Sequence, residues 1–147
     1  MNPELFRTPG HLINRAAKLL QRYGEKRFAP LGLAVAQMPV LYALKDGAAR
    51  TQADLAKWAQ IEQPTMALLL TRMERDGLVE RTPHPLDKRS SMVALTPRAL
   101  AKLPDARAVL ADGNAHALQG FSEREIATLS RLLLRVVKNL DPAAVIP

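Results

Sequence analysis

Asp87-Lys88-Arg89 sets an acid two positions from an arginine in a proline-punctuated loop. On a strand-like segment, residues two apart project from the same side. An acid so placed can hold the arginine in one rotamer, which lowers the entropy lost when a guanidinium enters a narrow, negative minor groove. The same residues also fit a solvated turn with an incidental ion pair, worth almost nothing in stability. A second group lies just upstream. If Met66, Leu69, Leu70 and Met73 form an inward stripe at i, i+3, i+4, i+7, then Gln63, Thr65, Ala67, Leu68, Thr71, Arg72 and Arg75 face outward. Glutamine can pair with adenine, threonine and alanine can touch a thymine methyl, and arginine can reach guanine or phosphate. An ordinary amphipathic helix would present a polar surface of the same kind. Leu68 stands out, because a large apolar residue on the solvent side needs either a methyl group or a neighbouring helix to pack on.

The elements that must position these groups are legible in order. Residues 9–29 carry Leu12, Ala16, Leu19, Leu20 and Tyr23 on one helical face, with Pro30 and Gly32 as the stop. A second helix is expected over Val35–Leu44, closing at Lys45-Asp46-Gly47. Thr51-Gln52-Ala53-Asp54 resembles a capping box and opens a short helix to about Ala59, with Leu55 and Trp58 pointing inward and Trp58 and Tyr42 joining the core. Pro64 suits the first turn of the next helix, Pro64–Asp76, and Gly77 suits its C′ position. Strands are expected at Leu78–Thr82 and Ser91–Leu95. Two short helices and a hairpin with a cationic tip are the parts of a winged helix-turn-helix. Thr96-Pro97 caps a further helix over 98–119, which Pro104 should kink or restart. Ser122-Glu123-Arg124-Glu125 is a full capping box with Phe121 and Ile126 at staple positions. The last helix spaces Ile126, Leu129, Leu133, Val136 and Leu140 as a heptad-like seam, a face that needs a partner helix. The fold class is therefore mainly α with a small β-hairpin wing.

Composition narrows the function. The 147 residues carry a formal charge of +7, with 48% apolar and 24% charged residues. Such a chain can bury a core, and its charge favours an anionic partner, nucleic acid ahead of a membrane. Without cysteine there is no disulfide, thiolate metal site or thiol sensor. No apolar run is long enough to span a bilayer and Met1–Gly10 lacks a signal-peptide layout, so the expected location is the cytoplasm. His11, His84 and His116 are isolated, which argues against a metal site, and no cofactor motif is visible. His84 could contact a phosphate or simply serve the turn. No convergent acid, base and nucleophile set points to an enzyme.

From Pro9 to Leu140 the chain resembles the MarR family of winged-helix regulators. The resemblance rests on Leu31-Gly32-Leu33 with Gln37, Thr51-Gln52-Ala53-Asp54-Leu55-Ala56, Pro64-Thr65-Met66, Arg72 through Arg81, and Pro85-Leu86-Asp87-Lys88-Arg89-Ser90 closing on Leu95-Thr96. It implies a single MarR-like domain over 1–147, with a DNA-binding lobe at about 33–96 and dimerisation helices at about 9–30 and 97–141. It further implies a homodimer in which Leu12 of the first helix and Ile126, Leu129, Leu133, Val136 and Leu140 of the last one interlock. Gln63, Pro64, Thr65, Ala67, Leu68 and Thr71 match the groove-facing helix; Arg89 and Lys88 match the wing tip, with Asp87 the acid that orients Arg89. Arg72 matches a residue that serves the phosphate backbone or braces the wing. The implied partners are double-stranded DNA with a pseudo-palindromic operator and a small anionic aromatic effector, for which His11, Asn14, Arg15, Met38 and Tyr42 are the candidate lining. Leu68 stands where many members carry a polar or basic residue, and Ala99 where many carry glycine. The expected function is a dimeric repressor released by that effector; the alternative is a winged-helix protein-interaction module without specific DNA binding.

Overall fold

The computed structural model describes residues 3–144. Its contacts group into two compact units, Met1–Gly113 and Asn114–Pro147. The first begins with a 3₁₀ turn, Pro3–Arg7, and helix α1, Pro9–Phe28. After a 3₁₀ turn at Ala29–Leu31 come α2, Met38–Ala43, strand β1, Arg50–Thr51, helices α3, Gln52–Ala59, and α4, Gln63–Arg75, then β2, Val79–Pro83, and β3, Ser91–Leu95. Helix α5, Pro97–Ala117, runs to the end of the unit and past it, and the second unit holds α6, Glu123–Leu140.

The helix expected over Val35–Leu44 is divided: Val35–Gln37 form a 3₁₀ turn and the α-helix starts only at Met38. Pro39 lies in its first turn, where a missing amide costs nothing. Gln37, buried although polar, accepts a hydrogen bond from the Ala34 amide at 2.9 Å, so its carboxamide oxygen is satisfied. Pro104, by contrast, neither breaks nor restarts its helix, since α5 is continuous from Pro97 to Ala117.

The sheet has one strand more than the hairpin foreseen from sequence. Its order is β1-β3-β2, all antiparallel, with Arg50 opposite Val93 and Thr51 opposite Met92. Two residues give no alternation to recognise, and their partner lies some forty positions on, so β1 becomes visible only once the chain has folded. Arg50 anchors it, donating from Nε to the Ala43 carbonyl at 3.0 Å and pairing with Asp46 at 2.6 Å. Strand β2 begins at Val79 rather than Leu78 and extends through Pro83, tolerated because β2 is an edge strand.

The core of the first unit draws on nearly every element. Phe28, Val40, Leu41, Leu44, Leu55, Met66, Leu70, Met73, Leu78, Val79 and Val93 are fully buried. Trp58 corrects the sequence reading: it is 54% exposed, and Ala56, not Trp58, accompanies Leu55 into the core. On this short helix Leu55, Ala56 and Ala59 define the inward arc, which leaves Trp58 on the flank. Tyr42 does pack against the core, half-buried. Helices α1 and α5 are joined at Asp112, which accepts from the Tyr23 hydroxyl at 2.9 Å and from Arg27 Nε at 3.0 Å, while the Arg27 guanidinium stacks 3.4 Å from the centre of the Tyr23 ring. Tyr23, read from sequence as part of an apolar face, thus carries a polar clasp; partial desolvation and the Asp112 contact both raise its pKa.

In the second unit the Ser122 capping box forms both ways: the Ser122 Oγ accepts from the Glu125 amide at 3.2 Å and the Glu125 carboxylate accepts from the Ser122 amide at 2.8 Å. No residue of α6 is buried.

Candidate nucleic-acid interface

Three consecutive pieces of chain build the site: the α3–α4 corner, the outer face of α4, and the loop between β2 and β3. Thr51 starts the first. Its Oγ1 accepts the Asp54 amide at 3.1 Å and donates to the Asp54 carboxylate at 2.7 Å, so aspartate shortens the usual box to a cap plus a side-chain bond. At the other end of α3, Gln60 takes a left-handed conformation with φ 53°, the Gln60 amide bonds to Lys57 and the Ile61 amide to Ala56 at 3.0 Å. That is the closing motif usually assigned to glycine, here made by glutamine at a conformational cost of about 1 kcal/mol. It turns the chain sharply enough for α4 to start at Gln63.

Helix α4 has two faces of opposite character. Met66, Leu70 and Met73 are fully buried, with Leu69 half-buried beside them. Gln63, Pro64, Thr65, Thr71 and Arg72 are exposed, Ala67 is half-buried, and Leu68 is 63% exposed. Two of these polar groups are already committed within the chain. The Thr71 hydroxyl donates to the Ala67 carbonyl at 2.9 Å, which leaves its methyl and an oxygen lone pair outward. Gln63 Oε1 accepts from Gln52 Nε2 at 3.2 Å, a bond across the corner from the first turn of α3. Gln52 was not among the residues picked out by type. Its only sequence signal is a place at the start of α3, opposite the start of α4.

The helix ends in a glycine-closed motif. Gly77, at φ 71°, donates to Glu74 at 3.0 Å and Leu78 donates to Met73 at 2.8 Å, so buried Leu78 belongs to the helix stop and not to the strand. Thr96 then ties the far end of the hairpin to its beginning: its Oγ1 donates to the Gly77 carbonyl at 2.7 Å and accepts from the Ala99 amide at 3.2 Å, capping α5. The Leu-Thr at the end of the hairpin is thus a buried plug followed by a clasp.

Arg72 does not brace the wing; it is exposed and without an ion-pair partner among the described residues. The brace is Arg81 on β2, 3.2 Å from Glu74 on α4. Arg81 Nε makes no well-directed hydrogen bond there, and a half-exposed ion pair is worth about 0–1 kcal/mol, so its contribution is to orientation.

Loop His84–Ser90 carries the exposed tip. Asp87 and Arg89 lie on a turn rather than a strand, closed by the Ser90 amide donating to the Asp87 carbonyl at 3.0 Å. The acid therefore acts differently from the sequence expectation. Its Oδ1 accepts the Arg89 backbone amide at 2.9 Å and does not hold the guanidinium. Asp87, Lys88 and Arg89 are all exposed, and the Lys88 ammonium and Arg89 guanidinium have no counter-ion among the described residues. Two unpaired cations on a projecting turn, beside a helix whose outer face is not packed, form a surface complementary to a polyanion.

The comparisons agree with this arrangement. A profile described as MarR family matches residues 31–90. The multiple antibiotic resistance protein MarR of Escherichia coli is 30% identical over 129 residues, covering 86% of the chain and 87% of that protein. The chain belongs to the MarR family. An uncharacterised HTH-type transcriptional regulator of Bacillus subtilis, YwoH, is 29% identical over 122 residues, covering 83% and 88%. Among solved structures, a mutant of Escherichia coli MarR complexed with operator DNA superposes with a TM-score of 0.79 at 29% identity, over 86% of the chain and 91% of that one. A probable transcriptional regulator from Pseudomonas aeruginosa gives 0.81 at 26% identity, over 90% and 98%. The chain is a winged-helix transcriptional regulator of this family and not an enzyme. Among the described residues no helix is long and apolar enough to cross a membrane.

The other candidate residues fall in two places. His11 packs edge-on against Phe6, with ring centres 5.1 Å apart, and Asn14 and Arg15 are exposed on α1. Met38 is sealed in the core, and Tyr42 lies half-buried with the Lys45 ammonium 5.7 Å from its ring. No hydrogen bond, ion pair or ring contact joins the α1 members of this set to the α2 members, and Met38 lines no open surface. Leu12 is exposed on α1. On α6, Leu129, Leu133 and Leu140 are exposed and Ile126 and Val136 half-buried.

Proposed function

We propose that the chain is a homodimeric, sequence-specific repressor of transcription that binds a pseudo-palindromic duplex. Helix α4 lies in the major groove, and the wing carries Arg89 into the adjoining minor groove. The observation that carries this reading is the projecting turn with two unpaired cations next to an unpacked helix face; the similarity to a relative crystallised with operator DNA supports it. Gln63 is the hydrogen-bonding base reader, Thr65, Ala67, Leu68 and the Thr71 methyl offer apolar contacts to thymine, and Arg72, Lys88 and the first-turn amide of Thr65 serve phosphates. Pro64 itself contributes a fixed backbone and no donor. The open seam of α6, together with Leu12 of α1, is the dimer surface. Two-fold symmetry then places half-sites about one helical turn apart. We keep as a proposal the release by a small anionic aromatic effector, with Arg15 as its carboxylate partner and His11, Asn14, Met38 and Tyr42 as the other candidate lining; the α1 and α2 members would have to be brought together, and Met38 uncovered, by a movement of α2.

The test is a gel-shift titration on the duplex that the wild-type chain selects from a random library. Arg89→Ala should weaken binding by roughly ten- to a hundredfold, the loss of one groove contact worth about 1–3 kcal/mol, and leave the oligomeric state unchanged. Wild-type affinity should fall steeply with salt as phosphate contacts release counterions. Equal affinity of the variant and the wild type would overturn the wing assignment.

A further inference from the structure

The loop from His84 to Ser90 is held by a side chain that neither charge nor spacing singled out. His84 Nδ1 accepts two backbone hydrogen bonds, from the Leu86 amide at 3.1 Å and from the Asp87 amide at 3.0 Å. The His84 amide in turn donates to the Ser90 carbonyl at 3.2 Å, closing the base of the loop. Asp87 passes the constraint on: its carboxylate accepts the Arg89 amide at 2.9 Å and its carbonyl accepts the Ser90 amide at 3.0 Å. Pro85 has no amide to satisfy. Four of the amides from Leu86 to Ser90 are thereby paired by His84 or Asp87, in a loop whose apolar residue, Leu86, is 92% exposed and contributes no packing. Polar bonds alone shape the tip.

We infer that His84, in its neutral form, is the positioning residue of the wing: Nδ1 gathers the Leu86 and Asp87 amides, and Asp87 so placed fixes the backbone from which Arg89 projects. A ring nitrogen accepts hydrogen bonds only when it carries no proton, so the loop requires the tautomer protonated at Nε2. Protonation at Nδ1 would set a donor against two donors and release both amides. The charged groups near the ring in sequence are those of its own turn, Asp87, Lys88 and Arg89. Strand β3 brings none, and on β2 the nearest are Glu80 and Arg81, the latter paired with Glu74. The wing is therefore ordered while Nδ1 carries no proton and loosened when it gains one.

This inference rests on the wing reading above, and the two are separable. In the free chain, nitrogen chemical shifts should show His84 as the Nε2–H tautomer at neutral pH, and the Leu86 and Asp87 amides should be protected from exchange. Protection should be lost on acidification, once Nδ1 carries a proton and no longer accepts. His84→Ala should lack protection throughout. His84→Asn should keep it throughout, because an asparagine oxygen accepts from the same two downstream amides and does not titrate. On the selected duplex, His84→Ala should weaken binding by about three- to tenfold, the loss expected from two backbone hydrogen bonds to an exposed loop. His84→Asn should restore affinity and remove the extra weakening that the wild type shows on acidification. Equal protection in wild type and His84→Ala overturns the inference. If Arg89→Ala weakens binding while His84→Ala does not, the positioning role alone fails; if neither variant matters, the wing reading fails with it.

Discussion

Helices α4 and α6 have nearly the same sequence design and opposite fates. Helix α4 opens with a proline in its first turn and α6 with a capping box, and both carry an apolar stripe at three- and four-residue spacing. In α4 the stripe is used up inside its own unit: Met66, Leu70 and Met73 are fully buried in the core that α2, α3 and the sheet also line. Its outer face is then free to meet a ligand. In α6 no residue is buried, and Leu129, Leu132, Leu133, Val137 and Leu140 are all exposed. Burial of a leucine is worth about 1.5–3 kcal/mol, so a stripe of this length left in water is a strong drive toward association. One helix is finished by its own chain, whereas the other, on the function proposed above, is finished by a second copy.

Four substitutions would break or sharpen this contrast. The largest effect is expected on α6. Leu133→Asp removes a seam residue twice over in a symmetric dimer, about 3–6 kcal/mol of association, and should shift sedimentation to the monomer by a hundredfold or more in dissociation constant. Far-ultraviolet circular dichroism should show the helices of the first unit intact. Within α4 the contrast runs between neighbours. Leu70→Ala empties a fully buried site and should cost about 2–5 kcal/mol in urea unfolding. Leu68→Ala, at a residue 63% exposed, should stay within about 0.5 kcal/mol of wild type in the same assay, while weakening binding to the selected duplex. The smallest effect concerns Gln52. Its bond to Gln63 leaves that carboxamide one lone pair and both amide protons, enough for a bidentate adenine contact already oriented. Gln52→Ala should therefore leave stability unchanged and reduce discrimination at the adenine position by about 0.5–1.5 kcal/mol, read by competition between selected and adenine-substituted duplexes. Unchanged discrimination would make Gln52 a bystander.

The contrast also shows where sequence reading succeeds. Caps and stops are local chemistry. Thr51, Gly77, Thr96 and Ser122 therefore fall where their types require, and α3, α4, β3 and α6 follow within a residue or so. Stripes with several members survive a single error, as with Met66, Leu70 and Met73. A short helix gives no such redundancy: Trp58 is apolar and one turn from Leu55, yet the inward arc of α3 is taken by smaller residues. The site was legible at the level of the residues that project. Arg89, Lys88, Gln63 and Leu68 are exposed because nothing among the described residues is placed to cover them.

The residues that support the site were not legible, because their partners come from elsewhere in the chain or from backbone amides. Gln52 meets Gln63 only after the α3–α4 corner closes, and Glu74 meets Arg81 only once the hairpin folds back beside α4. His84 reads as an isolated histidine until the loop curls two amides onto its Nδ1. By itself the sequence determined the helices, the hairpin, the cationic tip and the two apolar stripes, since periodicity, capping and charge act over a few residues. Only the tertiary structure decided the β1 edge, the exposure of Trp58 and the fact that Asp87 holds the Arg89 backbone rather than its guanidinium. Those outcomes depend on which groups compete for the same space and the same hydrogen bonds, and that competition exists only in the folded chain.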